Sequence, residues 1–152
     1  MRRNGGRGVR EDLLARLRSF DWGKHGVVYA VLFGSALRGD EYEDVDLAVL
    51  FERDPDPDAV LELVKDLADI LEMPDDRIDI VVLNRVDTPC VLVEEALGKG
   101  MMVYCRDRDV CVGDVVRRLE ICWDFEISYR KLNLLEVAVK AVKRRWGSSE
   151  GS

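Results

Sequence analysis

Residues 29–51, YAVLFGSALRGDEYEDVDLAVLF, constrain this chain more than any other stretch. Residues 27–33 are β-branched, aliphatic and aromatic, too few for a stable helix, and are ended by a glycine; they read as a buried strand. Residues 45–51 read the same way, yet two carboxylates, Asp44 and Asp46, stand at the start of that second run. Side chains along a strand alternate between its faces, so residues two apart point the same way and these two carboxylates crowd each other. Like charges that close raise each other's pKa unless a cation sits between them. A divalent metal held by oxygen ligands is the usual resolution. Carboxylates with few other protein ligands suit Mg²⁺, which keeps waters and substrate phosphates in its shell.

The turn between the two runs has the makings of an anion site. Gly34 lets backbone approach a ligand closely, Ser35 offers a hydroxyl and an N–H, and Arg38 adds a planar donor fork suited to phosphate. Two-metal phosphoryl transfer calls for a third carboxylate. Residues 77–83, RIDIVVL, form a third short apolar run with an acid near its start. Burying a lone carboxylate is costly, which singles out Asp79 as the third ligand.

Gly34-Ser35, then Asp44-x-Asp46, then Asp79 on a later strand resembles the signature of the DNA polymerase beta nucleotidyltransferase superfamily. The chain is most similar to its minimal nucleotidyltransferases. Those often read Gly-Ser-x-Ala-Arg-Gly and Ser-Asp-x-Asp-Leu, where this chain has Leu37 for the alanine and Glu43 for the serine. The resemblance spans residues 27–104. It implies an α/β (α+β) nucleotidyltransferase fold with a small mixed sheet, catalysis and metal binding by Asp44, Asp46 and Asp79, and phosphate binding by Gly34, Ser35 and Arg38. It further implies two Mg²⁺ ions, a nucleoside triphosphate such as ATP, and transfer of AMP to an acceptor hydroxyl. Many minimal members are paired with a small helical HEPN-type toxin, so an antitoxin role is expected. A catalytically weak binding antitoxin and a small-molecule nucleotidyltransferase are the alternatives.

Composition bounds the rest. With 152 residues, 47% of them hydrophobic and 35% charged, the chain is long enough for a core and is no disordered polymer. No apolar run approaches the ~20 residues of a membrane span, and the basic, glycine-rich start lacks the apolar region of a signal peptide, so a cytoplasmic protein is expected. A formal net charge of −7 disfavours a long nucleic acid as substrate. Cys90, Cys105, Cys111 and Cys122 include no Cys-x-x-Cys pair and accompany a single histidine, so zinc and a disulfide framework are both disfavoured and buried thiols are expected. His25, between glycines, reads as an exposed loop residue.

Around these strands, residues 11–20 read as a short amphipathic helix. Residues 58–72 read as a longer one, entered through an Asp-Pro repeat and stopped before Pro74. Thr88-Pro89 opens a helix that closes at Gly98, and residues 101–105 form a fourth strand. From 110 to 146 the apolar period is helical throughout, too long for one surface helix. It is expected to break near Gly113 or Ser128 and fold back onto the core, or else to pack on a second subunit, a homo-oligomer or a partner protein. The expected division is a nucleotidyltransferase domain at 1–106, a helical extension at 107–146 and a polar tail at 147–152.

Overall fold

Residues 5–39 and 41–146 are described by a computed structural model; the expected tail at 147–152 lies outside them. Four strands form one mixed sheet in the order β3-β2-β1-β4. β1 (Val27–Phe33) is central and buried along its whole length, as a strand covered on both faces must be. β2 (Val45–Phe51) and β4 (Met101–Cys105) flank it, both antiparallel, and β3 (Ile78–Val82) lies parallel to β2 at the edge.

One face of the sheet is covered by α1 (Gly5–Ser19) and α3 (Pro57–Leu71), which bury Leu13, Leu17, Leu63 and Leu67 against Ala30, Leu32, Leu47 and Val49. α1 begins earlier than the expected residue 11. Asp56 caps α3, its carboxylate accepting the Ala59 N–H at 2.8 Å, and Pro57 occupies the first turn, where no N–H is needed. The other face carries Tyr29, Val31, Phe33, Ala48 and Val81. It is covered by α4 (Cys90–Val93), which runs on as a π turn through Gly98, and by the start of α5 (Arg108–Trp146).

Three expectations are corrected here. α5 is one unbroken helix of 39 residues, about 58 Å long, instead of a pair folded back on itself. No proline interrupts it, and Gly113 faces open space, where a helical glycine costs only about 1 kcal/mol. Its buried face runs through Cys111, Asp114, Leu119 and Cys122, while Val112, Val116 and Trp123 are exposed. The side chains at 125–139 and 144–146, including the expected apolar positions Ile127, Leu132, Leu134, Leu135, Val137 and Ala138 and the basic Arg144 and Arg145, lie outside the described residues.

The cysteines are not free. Cys90–Cys122 joins α4 to α5 and Cys105–Cys111 joins β4 to α5, with Cα separations of 5.4 and 6.2 Å. These lie within the range a disulfide spans. Partners 32 residues apart come together only because α4 packs on α5, a proximity that sequence spacing does not display. Reduction with dithiothreitol is therefore expected to lower the melting temperature, the longer loop contributing about 3–4 kcal/mol and the shorter about 2 kcal/mol by loop-closure entropy. Cys122→Ser in non-reducing buffer should reproduce the larger share, and a melting curve indifferent to reductant would refute the pairing.

His25, finally, is not an exposed loop residue. Its side chain is 7% exposed, stacks on Phe20 with centroids 5.6 Å apart, and places Nε2 2.9 Å from Asp66 Oδ2. Lys24 and His25 together hold the Asp66 carboxyl below its usual range.

Candidate active site

The expected site residues gather at one end of the sheet. β1 ends at Phe33, which pairs with Asp46 at the start of antiparallel β2, and the parallel ladder sets Asp46 directly opposite Asp79. Alternation then places both carboxylates on the sheet face that also carries Ala48 and Val81, beyond the ground covered by α5. Asp46 is half-buried, Asp79 and Asp44 are exposed. Burial pushes the Asp46 carboxyl above the ordinary carboxylate range, the neighbouring Asp79 and then Asp44 push it further, and Arg38 pulls against them. A shared β-register between two acids is unfavourable by itself, since like charges directly opposite destabilise a sheet.

Gly34 forms the wall behind Asp46. Its φ of 81° and ψ of −155° belong to a region essentially restricted to glycine, and a Cβ there would come within 2.4 Å of Asp46 Oδ2. Backbone thus lies directly against the carboxylate. Ser35 is exposed at the start of the short helix α2 (Ser35–Arg38), with its side chain free to meet a ligand.

Arg38 is paired with an acid. Its Nη1 lies 2.8 Å from Glu95 Oε2 on the π turn, with Lys99 Nζ 3.6 Å from the other oxygen of the same carboxylate. The guanidinium is 67% exposed, so this pair is weak and exchangeable. Among the described residues no three acids, histidines or cysteines converge into a ready metal cage. The parallel ladder sets Asp46 opposite Asp79, and Asp44 lies near enough to act on the Asp46 carboxyl as well. The donor chemistry nevertheless fits Mg²⁺: oxygen ligands only, a carboxylate pair whose mutual repulsion a cation relieves, and open space for water and phosphate around Asp44 and Asp79.

A second polar cluster lies on the same sheet face nearer its other end. Tyr29 donates its hydroxyl to Asp114 Oδ2 at 2.6 Å, and Arg117 and Arg118 each reach the same carboxylate at 2.7 Å. Arg118 also donates to the Leu83 carbonyl at 2.8 Å. Burial and the Asp114 charge hold the Tyr29 phenol protonated far above its ordinary range. This network fastens α5 to β1 and to the end of β3.

Residues 21–109, more than half of the chain, match the family described as polymerase beta, nucleotidyltransferase. The chain belongs to this nucleotidyltransferase family. Solved structures of toxin–antitoxin complexes share its fold. The tri-AMPylated HEPN toxin of Shewanella oneidensis in complex with MNT antitoxin matches at a TM-score of 0.54 and 21% identity, over 88% of this chain and 99% of that one. A toxin–antitoxin with AMP-PNP matches at 0.56 and 22%, over 85% and 98%. MntA–HepT matches at 0.53 and 20%, over 87% and 98%. Among curated proteins no sequence matches the chain at a significant level. No helix among the described residues is long and apolar enough to cross a membrane.

Proposed function

We propose that this nucleotidyltransferase moves AMP from ATP to a hydroxyl of a partner protein, as the antitoxin of a HEPN-type toxin. The observation that carries the reading is the Asp46–Asp79 pair set against the Gly34 backbone: an electrostatically unfavourable arrangement that a bound cation relieves at neutral pH and whose open side adjoins Ser35. The fold shared with complexes that contain an AMPylated toxin or AMP-PNP supports the choice of adenylyl group and partner.

In this mechanism the Ser35 hydroxyl and the adjoining backbone N–H groups receive β- and γ-phosphate oxygens. Arg38 exchanges Glu95 for a phosphate, gaining a charge-assisted bidentate partner. Asp44, Asp46 and Asp79 would hold two Mg²⁺ ions, which when bound offset phosphate charge and lower the pKa of the acceptor hydroxyl. Asp79, exposed at the sheet edge, takes the acceptor proton. The acceptor oxygen bonds to the α-phosphorus as the bond from that phosphorus to the β-bridging oxygen breaks. Pyrophosphate leaves with the electron pair, and AMP stays on the acceptor.

One observation favours a second reading, a binding antitoxin of low activity: the Arg38 guanidinium is engaged by the Glu95 carboxylate. Incubating the full chain with Mg²⁺ and radiolabelled ATP, with and without the protein encoded beside it, decides between them on a denaturing gel. Label on the partner establishes transfer. ATP binding without label on any protein, while the two proteins still form a complex, establishes the binding antitoxin.

A further inference from the structure

A cleft of about 850 Å³ opens beside Ser35 and Asp44, and most of its lining has no part in the transfer mechanism. The half-buried part of the lining is apolar, a floor of Leu71 at the end of α3, Met73 and the ring of Tyr42, with Pro74 exposed beside it. The rim is acidic: Glu41, Glu43, Asp44 and Glu72, four carboxylates to the single guanidinium of Arg77. Glu43 lies 3.5 Å from Arg77 and Glu72 lies 2.9 Å from Arg16. Glu41 has no cationic partner among the described residues, and Asp44 is left to the metal. Away from Ser35 and Asp44, which the transfer reading gives to phosphate and Mg²⁺, the remaining acids attract a cation. An apolar floor beneath them receives the aliphatic stems of lysine and arginine, or a neighbouring aromatic ring, and a hydrated aminosugar leaves that floor uncovered.

We propose that this cleft docks the acceptor, and that the acceptor is a basic segment of a protein whose hydroxyl-bearing residue is led past Ser35 and Asp44 to the Asp46–Asp79 pair. Charge complementarity selects the segment and continuity with the candidate site gives it a use. The acceptor role rests on the nucleotidyl-transfer reading; docking of the basic segment does not.

The test is fluorescence anisotropy with the full chain, Mg²⁺ and AMP-PNP, using a labelled peptide that alternates arginine with tyrosine and a counterpart with glutamate in place of arginine. The basic peptide should bind at least about tenfold more tightly, and its advantage should shrink as salt screens the rim. Glu41→Lys with Glu43→Lys should weaken it by about tenfold or more while AMP-PNP still binds. The milder Glu41→Gln, at an exposed position, should weaken it a few-fold without any question of folding. Equal binding of the two peptides, or a charge-reversed variant that binds like the parent, overturns the proposal. An aminoglycoside that competes as tightly as the peptide overturns it too, in favour of a small polycation. Binding of the basic peptide with no binding of AMP-PNP would remove the proposed function and the acceptor role, yet leave the cleft a docking surface for basic segments.

Discussion

Asp46→Asn is expected to abolish nucleotidyl transfer and, at neutral pH, to raise the melting temperature. Both effects come from one geometry. Asp46 is half-buried, faces Asp79 across a parallel ladder, and has Asp44 nearby, so its ionised form is disfavoured in the folded chain. A carboxyl whose folded pKa is raised contributes stability that is fully present below its unfolded pKa, about 3.9, and is lost as pH rises through the folded value. Asparagine does not titrate. The variant should therefore melt close to the parent near pH 4 and a few degrees above it at pH 7, where about 1 kcal/mol corresponds to roughly 2–4 °C for a chain of this size. Transfer should fall by about 10²–10³-fold or more, the scale for removing one group that stabilises developing charge. Differential scanning fluorimetry across pH, with and without Mg²⁺, checks the first half: Mg²⁺ should raise the parent's melting temperature and leave the variant's little changed. A variant that melts lower at pH 7 would make Asp46 a structural residue and remove the argument for a metal-binding pair.

How much of this was legible in the sequence depends on whether the signal was local. The strands at 27–33, 45–51 and 101–105 have the bounds their apolar runs imply, because each run is short, β-branched or aromatic and closed by a turn. Asp46 and Asp79 stood out because an acid in such a run is costly, and the β2–β3 ladder does bring them opposite each other. The same signal was present at Asp114, an acid on the buried stripe of Cys111, Leu119 and Cys122. An acid within a helical period most often faces solvent, so its burial shows only once α5 packs against the sheet. What remained hidden depends on elements meeting in space: the two disulfides, the His25–Asp66 contact between a turn and α3, and the Glu95 carboxylate that reaches Arg38 from 57 residues away. The acidic cleft belongs with these, since its walls come from the loop before β2 and from the end of α3.

Gly34→Ala should disable the site by a different route, through the backbone wall behind Asp46. The residue occupies a conformation that L side chains avoid, at a strain of about 1–3 kcal/mol. Its new Cβ would also fall 2.4 Å from Asp46 Oδ2 and 3.3 Å from Asp46 Cγ, so the carboxylate must move away from Asp79 or the turn must shift and take Ser35 with it. Either movement separates groups that have to act on one triphosphate, and misplacement by about 1 Å is enough to cost roughly 100-fold in rate. Gly26→Ala supplies the control. That glycine also has a positive φ, 70°, but nothing lies within 4 Å of its Cβ, so it should show strain of about 1–2 kcal/mol in urea unfolding and keep full transfer activity. The clash at Gly34 can be isolated by a double-mutant cycle with Asp46→Ala, which removes the atoms the new methyl would strike. In that background Gly34→Ala should lose the part of its destabilisation due to the clash and retain the part due to strain. Additive costs across the cycle would mean that Asp46 turns aside freely, and that the close fit of backbone against carboxylate does not hold the site in place.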